Sequence, residues 1–372
     1  MLHSNKVRLM DEYLGFALFF IIFIAIYTLL NYFVLSQFFK LFGLEKTYWF
    51  YILLVILSLS YIIAAGLESQ SGTKLFKGIY VLASVWMGML FLLFCSLIIY
   101  FVINRFVPIS TWQTGAMILS IVVIATIYGI LNAYTFKVNE LNIYTEKNVN
   151  LKVVQVSDIH LGPINSGSYL KHIVGKINTL NPDIVLITGD LFDGRYHYDK
   201  NILMVLNDIN APVYFSSGNH DDYANLTLVK NLMKGTKVIW LRNELVEYNG
   251  TYIIGLDDTR DPKNVGAMLY ALNMEHNLSK KYAILMNHRP IGWKDASKYV
   301  NLMLSGHTHA GQIWPFSYLV FLEGNVMQGV HRVPGNGRFM LYVNSGTGTW
   351  GPPMRIGSHT EITVFNIKHT SK

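Results

Sequence analysis

The chain has 372 residues, 52% of them hydrophobic and only 14% charged, with a mean hydropathy of +0.32, whereas soluble globular domains carry roughly 25% charged residues. That composition excludes a simple soluble enzyme. Residues 1–136 hold 7 of the 30 Lys and Arg, 4 of the 23 Asp and Glu and one of the 12 histidines, so the two parts of the chain are suited to different solvents.

Four apolar runs come first, over residues 14–39, 48–67, 79–103 and 114–134, each near the ~20 residues that a membrane-crossing helix needs. Tyr48, Trp49, Tyr51, Tyr100, Trp112 and Tyr134 stand near the run ends, where amphipathic rings meet the lipid–water boundary. The first run lacks the small-residue cleavage site of a signal peptide and is expected to remain as an anchor. An even number of spans places the N-terminus and the residues after 136 on one side. That side carries Lys6, Arg8, Lys74, Lys77 and Lys137, against Lys40, Lys46 and Arg105 on the other. The excess favours a multi-pass cell-membrane protein whose C-terminal part is cytoplasmic. Within the runs there is no Asp, Glu, Lys, Arg or His, which favours an anchor over an ion path. Cys95 is the single cysteine, so no intramolecular disulfide can form. The net charge of +7 suits anionic headgroups or phosphorylated ligands, and no basic run or zinc-finger spacing points to nucleic acid.

From about Val149 the texture changes to short β-branched runs ending in Gly, Asp, Asn or His, an α/β pattern. Strands are expected over 151–156, 183–188, 213–216, 237–241, 282–286, 301–304, 339–343 and 361–367. A hairpin over 244–256 should turn at Asn249-Gly250. A helix over 168–180 should stop at Asn181-Pro182. The domains are therefore placed at 1–136 and 149–372.

The chemistry-bearing residues follow these strands. VVQVSDIH ends in Asp158 and His160, IVLITGDLFD carries Asp190, VYFSSGNHD offers Asn219 and His220, AILMNHRP offers His288, and LMLSGHTHAG offers His307 and His309. Any one of these is an ordinary turn residue. Five such sites, each at the end of an apolar strand, converge if the strands share a sheet edge. Leaving His220 aside, they would supply four imidazoles, two carboxylates and an amide, a set suited to two divalent cations.

The ordered motifs Asp-x-His, Gly-Asp-x-x-Asp, Gly-Asn-His-Asp, Asn-His and Gly-His-Thr-His resemble the signature of calcineurin-like metallophosphoesterases, over about 151–367. The runs GHTHAGQI and NSGTGTWGPPMRIGSHTEI are similar to the membrane-associated bacterial branch of that family. The resemblance implies a two-sheet β sandwich flanked by helices. It also implies that Asp158, His160, Asp190 and His309 hold one metal and Asp190, Asn219, His288 and His307 the other, with Asp190 shared. A six-coordinate count suits Mn or Fe better than structural Zn, although identity stays open. On this reading a hydroxide between the metals attacks phosphorus, and His220 donates to the phosphate or the leaving group, with Asp221 orienting its imidazole.

Arg289 and Arg355 are candidate phosphate clamps by residue type. Asp193 reads as a loop or supporting residue and Asp257-Asp258 as a turn. The function implied is a membrane-anchored phosphoesterase acting on a phosphate ester or pyrophosphate, with lipid-linked substrates and membrane lipids as the partners the anchor suggests. The alternative is a membrane sensor that binds phosphorylated ligands without turnover; such a descendant would be expected to lose ligands, and none of the seven is missing. Oligomeric state is not legible.

Overall fold

The structure is a computed structural model that describes residues 2–109, 111–323 and 326–370, with residues 2–17 and 19 described by backbone alone. The chain divides into two compact units, Met1–Glu68 with Thr73–Ile127, and Ser69–Gly72 with Tyr128–Lys372.

The N-terminal helices are α1 (Leu2–Leu41), α2 (Tyr48–Ser71), α3 (Lys74–Phe106) and α4 (Trp112–Ala133). Residues 20–41, 48–71, 74–106 and 112–133 are long and apolar enough to cross a membrane. A helix satisfies every backbone group internally, which hydrocarbon demands. Ile56, Leu82, Ile124 and Leu131 face outward, an arrangement that is costly in water and neutral in lipid. The polar groups turn inward: Asn31 donates to the Tyr27 carbonyl at 2.9 Å and accepts from Trp86 Nε1 at 3.0 Å, as interhelical contacts in lipid do. The helices outrun the apolar runs, so Glu68, one residue past the 48–67 run, lies within α2 and is buried.

The second unit is an α/β sandwich of two mixed six-stranded sheets. Its strands are β1 (Phe136–Thr145), β2 (Leu151–Val156), β3 (Ile184–Thr188), β4 (Val213–Ser216), β5 (Ile239–Trp240), β6 (Glu244–Tyr248), β7 (Thr251–Gly255), β8 (Tyr282–Met286), β9 (Leu302–Ser305), β10 (Gly329–His331), β11 (Met340–Val343) and β12 (Thr360–His369). Its helices are α5 (Gly167–Thr179), α6 (Asn219–Ala224), α7 (Leu226–Met233), α8 (Pro262–His276), α9 (Trp293–Ala296) and α10 (Phe316–Leu322).

One sheet runs β1-β12-β2-β3-β4-β5, with β2 to β5 parallel; the other runs β10-β11-β9-β8-β7-β6, with β11, β9, β8 and β7 parallel. Strands covered on both faces read as continuous apolar runs, and every residue of β3, β8 and β9 is buried. Val153, Ile184, Leu186 and Phe365 of one sheet meet Ile253, Ile284, Met286 and Leu304 of the other in the inner core. Leu170, Ile173 and Ile177 of α5 cover the first sheet's outer face, and Val265 and Leu269 of α8 cover the second's.

The 244–256 hairpin turns at Asn249 and Gly250 with φ of 45° and 73°, the positive pair a type I′ turn requires. Strand β1 was not foreseen. It pairs in parallel with β12 over ten registers from Phe136↔Thr360 to Thr145↔His369, so residues left between the two expected domains form the sheet's edge.

Candidate metal centre

Strands β2, β3, β4, β8 and β9 end at one side of the sandwich, and the chain leaves β2, β3 and β9 through left-handed residues. Asp158, His160, Asp190, His307 and His309 all have φ between 49° and 71°, a left-handed backbone uncommon for non-glycine residues though enriched for Asp and His. Each such residue costs of order 1–3 kcal/mol and persists only where its surroundings over-determine it. Glycines make room for the crowding: a Cβ on Gly218 would strike the Asp190 carboxylate, and one on Gly306 would strike Asp158.

The result is a buried cluster. Asp158, His160 and His309 present ligand atoms within 4.8 Å of one another, and so do Asp190, His288 and His307. His160 Nε2 lies 3.0 Å from His309 Nε2 and 3.7 Å from Asp190 Oδ2, while His309 Nε2 lies 3.4 Å from Asp158 Oδ1. Asp190 thus stands between the groups, its Oδ2 also 3.1 Å from His288 Nε2. Asn219, the first residue of α6, is buried, and its Oδ1 has no hydrogen-bond partner. The structure therefore brings six of the seven expected ligands into these two groups, and Asn219 stands next to His220, whose backbone N–H donates to Asp190 Oδ1 at 2.9 Å.

The donor set fits cations on one geometric ground above others. His288 Nδ1 sits 3.0 Å from the Thr188 carbonyl, and a carbonyl only accepts, so Nδ1 carries the proton. Nε2 of the neutral ring then turns a lone pair towards a carboxylate oxygen in a dry site, and it makes no hydrogen bond. A positive charge between the two atoms resolves the conflict, as a proton or as a metal ion. Burial disfavours the charged imidazole, yet Asp190 and Asp158 overcome it and push His288 up to about 10. From the other side, Asp190 is held well below the usual carboxylate range by His288 despite its burial. His307 goes the opposite way: burial, then His288 and Arg289, pushes it down to about 2, leaving a neutral ligand-type imidazole.

His220 has a different setting. Its Nδ1 donates to the Asp193 carbonyl at 2.8 Å, so Nε2 is the atom free to exchange a proton. Its ring stacks edge-on against His160, Tyr223 and Trp350, with centroids 4.7, 5.1 and 5.5 Å away. Asp221, expected beside this imidazole, instead accepts from the backbone N–H of Gly218 at 2.8 Å and Phe192 at 3.0 Å. Its short side chain closes the α6 N-terminus before it can reach the ring. Asp193 takes the orienting role through its carbonyl, and its carboxylate accepts from His160 Nδ1 at 3.2 Å.

The two arginines separate. Arg289 reaches the site: its Nε donates to Asp258 at 2.9 and 3.1 Å and its Nη1 lies 2.8 Å from His307 Nε2. Asp258, read as a turn residue, thus orients it. Arg355 is fully buried and cannot clamp a substrate. It donates to the carbonyls of His309, Ser345, Gly346 and Gly348 at 2.6–3.2 Å, fastening the His309 loop to the segment before β12. Tyr223 and Trp350 were missed as neighbours of His220, because nothing in their spacing marks them.

A two-sheet α/β sandwich with Asp and His gathered at strand ends defines a candidate binuclear-metal class. The family model of the calcineurin-like phosphoesterases matches residues 151–311. An uncharacterised metallophosphoesterase of Aquifex aeolicus is 32% identical over 257 residues, 67% of this chain and 98% of that protein. One of Campylobacter jejuni is 36% identical over 228 residues, 59% of each chain. A transmembrane protein with metallophosphoesterase domain from Danio rerio is 33% identical over 281 residues, 70% of this chain and 64% of that protein. The chain belongs to the calcineurin-like phosphoesterase family, and the matched stretch spans about six-tenths of the Campylobacter and Danio proteins' lengths.

Proposed function

We propose that the protein is a multi-pass membrane phosphoesterase that hydrolyses a phosphate ester or pyrophosphate bond with two divalent cations, with lipid-linked compounds as its substrates. The anchor comprises residues 1–136 and the phosphoesterase domain 149–372, extended at its edge by β1. The domain faces the cytoplasm, as the basic residues flanking the helices favour. The observation that supports the reading is the convergence of the ligand atoms of Asp158, His160 and His309, and of Asp190, His288 and His307, on two points, with Asp190 Oδ2 3.1 Å from His288 Nε2 and 3.7 Å from His160 Nε2.

Asp158, His160, Asp190 and His309 would hold one cation, and Asp190, Asn219, His288 and His307 the other. Such a pair supplies charge for the phosphoryl oxygens and acidifies a water for attack, and manganese suits the mixed N/O donor set. The chain's own residues do the rest. Asp190 offers two oxygens on a backbone fixed by φ of 51°, and His220, its Nδ1 proton committed to the Asp193 carbonyl, leaves Nε2 to take up or pass on a proton, while burial pushes the imidazole down and favours its neutral form. Arg289 brings positive charge to the His307 side, where a phosphate oxygen would lie.

The test is direct: full-length protein in detergent, metal content measured, then assayed on a chromogenic phosphodiester and monoester with Mn added or chelated. Two metal equivalents and chelator-sensitive turnover are expected. A metal-loaded, folded protein inert on every phosphate ester in detergent and in membranes would favour the non-catalytic binder instead.

A further inference from the structure

Helix α10 follows His309 by seven residues, and none of its side chains is buried. Trp314, Tyr318, Leu319, Phe321 and Leu322 are exposed, Phe321 at 63% and Leu322 at 75%. No charged residue occurs between Ile313 and Leu322. Ser317 lies against Gly311 and turns towards the domain, so the large apolar side chains face outward. Soluble surfaces rarely present a contiguous patch of this kind without a partner.

The position of the patch names the partner. Inside the second unit, the Arg355 backbone N–H donates to the Gly129 carbonyl of α4 at 2.9 Å, and the Trp314 N–H donates to the Ile356 carbonyl at 2.8 Å. Ile356 also bridges Ile313 in parallel and packs against Gly129. One extended segment therefore separates the start of α10 from the last turns of α4, where the chain leaves its apolar helix. If α4 spans the bilayer, the headgroup layer lies at that level, beside α10. A short helix carrying Trp, Tyr, Phe and Leu suits that layer, where aromatic rings concentrate and an apolar face sinks about 5–10 Å.

We propose that α10 seats in the surface of the bilayer that α4 crosses. The seat extends to the metal centre: Gln312, two residues before Trp314, holds both the backbone N–H and the carbonyl of Trp350 at 2.9 Å, and Trp350 stacks on His220. Lipid at α10 would thereby lie two side chains from His220, which deepens the lipid-linked reading and rests on the reading of α4 as a span.

The experiment uses full-length protein with Cys95→Ser, in vesicles of phosphatidylcholine and phosphatidylglycerol. Single cysteines, Leu322→Cys, Leu319→Cys, Tyr270→Cys on α8 and Ile121→Cys in α4, carry a bimane fluorophore. Lipids with a nitroxide near the headgroup or deep in the acyl chain, and aqueous iodide, serve as quenchers. The labels on α10 are expected to be quenched several-fold more by headgroup-level nitroxide than the Tyr270 label, and to be shielded from iodide. Ile121 should respond to the deep nitroxide. If Ile121 responds and both α10 labels behave as Tyr270 does, the seat is overturned while the span stands. If Ile121 is also unquenched by lipid, the span itself fails and the seat with it. Labels shielded from iodide but untouched by either nitroxide would mean that a second copy covers α10, again overturning the proposal.

Discussion

Asp190 and His220 carry separable burdens. Asp190 touches both halves of the cluster, 3.7 Å from His160 Nε2 and 3.1 Å from His288 Nε2, so Asp190→Ala should lower metal content below two per chain and abolish turnover together. Retention of two equivalents with undiminished activity would remove Asp190 from the shared position. His220 holds Asp190 Oδ1 through its backbone N–H at 2.9 Å, which an alanine keeps, and its side chain is not one of the expected ligands, so His220→Ala should keep both metals while kcat falls about 10²–10⁴-fold, the usual worth of a positioned acid or base. These residues were legible in the sequence because each sits two to four positions past an apolar strand, and strand ends of one sheet must gather. Their supports were not legible. Arg355 meets His309 across 46 positions and Asp258 meets Arg289 across 31, pairings that only the folded chain creates.

At the scale of elements, the central parallel strands announced themselves because burial on both faces makes them uniformly apolar. β1 did not, since its burial alternates between half-buried and exposed and its partner β12 lies more than 200 residues away. The boundary near residue 149 drawn from sequence therefore cuts away a strand. A fragment of residues 149–372 would expose the β12 edge along ten registers, and open edges pair with one another. In detergent that covers α10, it should aggregate on size-exclusion chromatography where a fragment of residues 128–372 stays monodisperse; equal behaviour of the two would show the edge to be inconsequential. The last turn of α4 belongs to the same scaffold. Asn132 Nδ2 donates to the carbonyls of Arg355 and Ser358, both at 2.9 Å, and its Oδ1 meets His359 Nδ1 at 2.9 Å. Asn132→Ala leaves these groups unpaired, which should cost about 1–3 kcal/mol, visible as a Tm lowered by several degrees in detergent. Because the same segment carries Arg355, metal affinity should weaken too, as it does when the partners that orient metal ligands are disturbed.

For the whole molecule, four apolar helices are more than a tether requires, and their consequence is a restriction on where substrate is met. A pocket confined to one membrane sees lipid-borne substrate in that membrane at an effective concentration that a separate vesicle cannot match. Full-length protein reconstituted with a bilayer-resident phosphodiester in the same vesicles should therefore hydrolyse it about 10²-fold faster, or more, than the same diester in separate vesicles. A water-soluble diester should show no such difference between preparations. Equal rates for the lipid substrate in both arrangements would detach the lipid-linked part of the reading while leaving the two-metal chemistry intact, because that chemistry rests on Asp190, His288 and their neighbours and not on the helices.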